Sequence, residues 1–82
     1  MKRAPEYPIN AAIRELKWQC RDTFQTFADR FGLSGSAVQK YCKDRIPEPR
    51  IIVLFLRGAM AHRRNDLAEI FDHCLAGGRL AE

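Results

Sequence analysis

Long hydrophobic runs are missing from this 82-residue chain; the longest, Ile51 to Leu56, is six residues. A membrane-spanning helix needs about 20 apolar residues, so no membrane partner is expected. Lys2 and Arg3 have no apolar stretch behind them, so a secretory leader is not expected either. Cysteine is sparse: Cys20, Cys42 and Cys74 are odd in number and widely spaced, and there is no Cys-x-x-Cys pair. That argues against a disulfide framework and a zinc ribbon, and fits reduced thiols in a cytoplasm. There are two histidines, His62 and His73. His73 and Cys74 are adjacent, so on a helix they would point about 100° apart and share an ion poorly. No metal, cofactor or small-molecule ligand is expected. Paired carboxylates, a nucleophile with a base beside it and a glycine-rich phosphate loop are all absent. The chain therefore reads as a binding protein rather than an enzyme.

What is present is an ordinary globular composition, 46% hydrophobic and 29% charged, enough for one small domain. A domain this size holds one modest core, which helices with short connections build economically. The net charge is +4, and its distribution is informative. Residues 1–64 carry thirteen Lys or Arg against six Asp or Glu, whereas residues 65–82 carry one Arg against four acids. The first segment suits a polyanion, the second a protein.

The apolar spacing predicts an all-α fold of five helices, at about 11–20, 23–31, 35–43, 50–61 and 66–76. They form one domain over 10–76, between an extended basic arm (1–9) and a flexible tail (77–82). Asn10 reads as a cap for the first helix, whose stripe is Ile13, Leu16 and Cys20. Trp18 lies off that stripe and reads as packed under the arm or another helix, with a partner contact as the alternative. Phe24, Phe27, Ala28 and Phe31 recur at i, i+3, i+4 and i+7 behind the cap Thr23, which places Phe24 on the buried face. Gly32 suits a left-handed helix end, Leu33 can plug the turn, and Ser34 can cap the third helix. The third helix separates Ala37, Val38, Tyr41 and Cys42 from Ser36, Gln39, Lys40 and Lys43. Pro47 and Pro49 make the next segment a loop. Ile51–Leu56 is β-branched enough for a strand, but Arg57–Ala61 extends it as a helix. His62-Arg63-Arg64 suits a helix C-terminus, and Asn65 reads as the cap of the last helix.

Two helices joined by a tight turn, with a small residue (Ala28) at the crossing and an acid-free outer face on the second, make a helix-turn-helix reading. The segment Thr23-Phe-Gln-Thr-Phe-Ala-Asp-Arg-Phe-Gly-Leu-Ser-Gly-Ser-Ala-Val-Gln-Lys-Tyr41 resembles that motif in phage-repressor and Cro-like (XRE-type, lambda-repressor-like) DNA-binding proteins. The Ile46–Arg50 loop resembles that of small Cro-like regulators, and Asp66-Leu67 with Ile70-Phe71 resembles the family's fifth helix. The likeness spans roughly residues 11–75. It implies a five-helix domain that binds operator DNA as a homodimer and regulates transcription, as a repressor.

Carried over by position, the resemblance puts base reading on Ser36, Gln39 and Lys40, where Gln39 could pair with adenine and Lys40 with guanine. It puts backbone contacts on Gly35, Gln25, Lys43, Arg45 and Arg50. Two positions depart from the family. Phe24 stands where glutamine is frequent, and Asp22 stands where an apolar residue is usual. Lys2 and Arg3 could reach along a groove. Leu67, Ile70, Phe71 and Cys74 are the expected dimer surface. The other class of function open to such a chain is a protein-interaction module, antitoxin-like or host-factor-binding, that retains the helix-turn-helix shape.

Overall fold

The computed structural model describes residues 8–76, and those residues form five helices and no strand. They are α1 (Pro8–Cys20), α2 (Phe24–Phe31), α3 (Gly35–Tyr41), α4 (Pro49–Ala61) and α5 (Asn65–Leu75). The all-α, five-helix expectation holds. No described helix is long and apolar enough to cross a membrane. Lys2, Arg3 and the 77–82 tail lie outside the described residues.

The first helix begins earlier than expected. Pro8 is its first residue, which costs little because the amide groups of a first turn have no intrahelical partner. Ile9, assigned by sequence to the arm, is 1% exposed and joins the core. Asn10 is no cap: it lies inside α1 and is fully buried.

Three helices end in the same hydrogen-bonded wrap, a left-handed residue flanked by a 5→2 and a 6→1 backbone bond. At α2 the residue is Gly32 (φ 70°), with Leu33 N–H donating to Ala28 O at 2.8 Å. At α1 and α4 it is an arginine, Arg21 (φ 57°) and Arg63 (φ 58°). Each accepts a cost of about 1–2 kcal/mol for a Cβ in that region. Asn65 is the first residue of α5 rather than its cap; Arg64 holds the cap position and makes no side-chain cap bond.

The β-branched run on α4 is helical because of what it buries. Ile51, Ile52, Phe55 and Ala59 form its inward stripe. Strand preference spans about 1 kcal/mol, whereas each large buried side chain contributes about 1.5–3 kcal/mol. Phe55 is the hub of the core. Its ring centroid lies 5.7 Å from Phe27, 5.2 Å from Phe31, 6.0 Å from Phe71 and 6.5 Å from Tyr41. Gly58 lets Phe31 lie flush on α4: a Cβ there would stand 2.9 Å from Phe31 Cζ.

Candidate nucleic-acid interface

The α2–α3 pair is built from local signals that the sequence displays. The Thr23 hydroxyl accepts from the Thr26 amide while the Thr26 hydroxyl accepts from the Thr23 amide at 2.8 Å, a reciprocal cap. Ser34 Oγ accepts from the Ala37 amide at 3.1 Å. Between the helices stand Gly32, Leu33 and Ser34, with Leu33 half-buried against the core. Phe27, Ala28 and Val38 are fully buried, so each helix spends one side on the core.

The other side of α3 is open. Ser36, Gln39 and Lys40 are all exposed, and no acid lies within the helix. Lys43 is exposed too but falls beyond α3, which ends at Tyr41 with Cys42 as its C-cap, two residues short of the expected boundary. The physical reason is that the amides of Lys43, Asp44 and Arg45 all turn back to one carbonyl, Lys40 O, at 3.0–3.1 Å. Gly35 is half-buried at the start of α3, close against Gln25: a Cβ on Gly35 would meet Gln25 Oε1 at 2.8 Å. Gln25 is also held by its own helix, donating to Asp29 Oδ1 at 2.9 Å. Arg45 and Arg50 are exposed. Arg50 lies 3.5 Å from Glu48, so any phosphate there would have to compete with a carboxylate.

Sequence reasoning missed what holds α3 in place. Asn10 Nδ2 donates to the carbonyls of Tyr41 (2.7 Å) and Arg45 (2.8 Å), and Arg14 Nη1 donates to the Cys42 carbonyl (2.6 Å). Thus α1 satisfies carbonyls that the end of α3 leaves over. A signal was present: Asn10 sits between Ile9 and the Ala12–Ile13 stripe, at its edge.

The two positions that depart from the pattern the sequence resembles, Phe24 and Asp22, have structural accounts. Phe24 is not buried as its periodicity suggests; it is 37% exposed, with Lys17 Nζ 4.8 Å from its ring centroid. It opens α2 at the margin of the core, beside Lys17 of α1 rather than among the buried side chains. Asp22 is polar because it anchors Arg30, accepting from Nε at 2.8 Å and from Nη2 at 3.3 Å. That pair, with Arg30 its main cause, holds the Asp22 carboxyl below the usual carboxylate range. A lowered folded value means stability that is present above the unfolded value of about 3.9 and lost as pH falls through the folded one. The melting-temperature gap between the wild type and Asp22→Asn should therefore be widest near neutrality and narrow below about pH 4. A gap independent of pH would remove the ionic explanation.

The expected dimer surface on α5 is corrected. Leu67 is 4% exposed and Phe71 is fully buried, while Ile70 and Cys74 are half-buried against the core. The correction falls on Leu67 and Phe71, which close this chain's own core, as a small domain with little apolar surface to spare requires. The expected packing of Trp18 is corrected too, since it is 76% exposed. It lies directly opposite α1's buried stripe, at the wall of a shallow groove that Phe24 of α2 also lines.

The thiols are quiet. Burial pushes Cys20, Cys42 and Cys74 above the ordinary thiol value. Cys20 Sγ lies 3.3 Å from His62 Nε2, a contact between the end of α1 and the C-cap of α4 that spacing did not reveal. Among the described residues no three His, Cys, Asp or Glu side chains gather as a metal site. No protein-family model, curated protein or solved structure matches this chain.

Proposed function

We propose that this chain is a sequence-specific duplex-DNA-binding regulator of the phage-repressor or Cro type. In this reading α2 and α3 form a helix-turn-helix, with α3 in the major groove. The observation that carries the proposal is the division of α3: Val38 is fully buried, while Ser36, Gln39 and Lys40 stand exposed on a face without acids. Gln39 and Lys40 have the donor and acceptor geometry to read adenine and guanine edges. Lys43, Arg45 and Gln25 flank them and would set register on phosphates. The domain measures 30 × 27 × 20 Å. Two copies side by side therefore place their centres near the roughly 34 Å of one DNA turn, which suits symmetric half-sites.

Selection of sites from random duplex DNA, followed by titration at several salt concentrations, tests the proposal. Affinity should fall steeply with salt, and Lys43→Ala should flatten the log–log slope by about 0.9. Gln39→Ala should cost about 1–3 kcal/mol on the selected site and far less on random DNA. Equal losses on both would take Gln39 out of the reading set, and absence of duplex binding at low salt would sink the proposal. The exposed Trp18 favours one other reading, a module that keeps this shape and docks on a protein. That reading predicts no salt-dependent DNA affinity at all.

A further inference from the structure

We infer that the solvent ridge of α1 is a homodimer surface, on which a second copy lies antiparallel about a two-fold axis. The ridge is Ala11, Arg14, Glu15 and Trp18, spaced i, i+3, i+4 and i+7 along one side of the helix. Ala11, Arg14 and Trp18 are exposed, and the Glu15 side chain is 46% exposed; within the chain Glu15 lies 3.7 Å from Arg64 and Arg14 donates to the Cys42 carbonyl, so the second copy would add a partner to each charge rather than supply its first. These four positions complement themselves. A two-fold axis between residues 14 and 15 sets each Trp18 on Ala11 of the second copy, and each Arg14 against Glu15 of the second copy. The large side chain meets the small one and the cation meets the carboxylate, twice each, which is the reciprocity an isologous contact requires.

The alternative helix fails the same test. A two-fold axis on the exposed face of α5 would set Asp66, Glu69 and Asp72 against their own copies. Like charges brought together in that way repel.

The α1 contact also gives an occupant to the largest apolar side chain left in water. Trp18 walls a shallow groove with Ala11, Arg14, Glu15, Lys17 and Phe24. Tryptophan and arginine are the residues that most often carry interface energy. A two-turn ridge is smaller than a standard interface, so association is weak, with Kd about 10–100 µM free in solution. Binding to adjacent half-sites on DNA would raise the effective concentration of the second copy. The inference rests on the DNA-binding reading only for that purpose.

The test is made without DNA, so its failure and the failure of DNA binding are separate results. Sedimentation from 1 to about 500 µM should give a monomer–dimer equilibrium in that Kd range. Trp18 is the chain's one tryptophan, so its emission should shift to the blue over the same range. Ala11→Arg, at an exposed position outside the core, should leave the melting temperature unchanged and weaken association at least about tenfold. Glu15→Arg alone and Arg14→Glu alone should each be monomeric, because every 14–15 contact becomes repulsive. Mixed one to one, they should recover the dimer, since both contacts are then attractive. Monomer at every concentration overturns the inference. So does a dimer that Ala11→Arg leaves intact, or a mixture that associates no better than its components. Should Arg14→Glu fail to fold through loss of its bond to Cys42, Ala11→Arg still decides the matter.

Discussion

Replacing Phe55 by alanine should cost about 3–5 kcal/mol and leave little folded protein at 37 °C. Phe55 is fully buried on α4 and its ring meets α2 through Phe27 and Phe31, α3 through Tyr41 and α5 through Phe71. A hole there removes the aromatic contacts that join α4 to three other helices at once. The Phe27 and Phe55 rings are stacked, with 9° between their planes, and Phe31 stands edge-on to both. Neither neighbour can fill the gap without giving up its own contacts. Total stability for a domain of this length is about 5–10 kcal/mol, so one such loss is a large share of it. Urea unfolding followed by circular dichroism measures the effect. Phe55→Leu, which keeps most of the volume, should lose well under half as much. An alanine penalty under about 1.5 kcal/mol would mean that the helices close over the hole, and that Phe55 is no hub.

The legibility of this fold in its sequence was uneven, for physical reasons that differ by residue. Thr23, Gly32 and Ser34 were readable because capping is local: a hydroxyl reaches an amide two or three residues away, and a left-handed residue ends the helix it follows. Arg21 and Arg63 hide two further helix ends of the same kind, because nothing in an arginine announces a positive φ. Periodicity found the stripe on α5 and could not say what covers it. Leu67 and Phe71 look the same from sequence whether they face their own core or a second copy. Phe24 was misplaced for the converse reason, since a helical stripe runs on past the point where its neighbour stops. The outer face of α3 was legible because Ser36, Gln39 and Lys40 are exposed simply by lying opposite Val38. What fixes the end of that helix was not, because Asn10 acts on Tyr41 and Arg45 across more than thirty residues.

Substituting Asn10 should therefore act at a distance. Its amide is the described polar side chain that lies fully buried, and both carbonyls it serves belong to the end of α3 and the turn beyond it. Asn10→Leu leaves two acceptors without their donor, at about 1–3 kcal/mol each where water cannot replace it. A total of about 2–6 kcal/mol would lower the melting temperature of a domain this size by at least about 8 °C. Asn10→Asp should be worse at neutral pH, because it aims a carboxylate at two carbonyl oxygens in place of two N–H groups. Burial and those oxygens raise the folded-state pKa of that carboxyl, since only its protonated form can donate. The sign follows: a raised folded value puts more protons on the native state, so the variant loses stability as pH rises from about 4 to 7 and regains part of it in acid. Hydrogen exchange locates the damage. The amides of Lys43, Asp44 and Arg45, which all donate to Lys40 O, should lose protection before the core amides of α4 do. If protection falls uniformly, Asn10 stabilises the domain as a whole and does not position α3. If it falls first at this corner, α1 sets the angle at which Gln39 and Lys40 are presented. Under the proposed function, variants at a fully buried residue would then alter DNA recognition without Asn10 itself touching DNA.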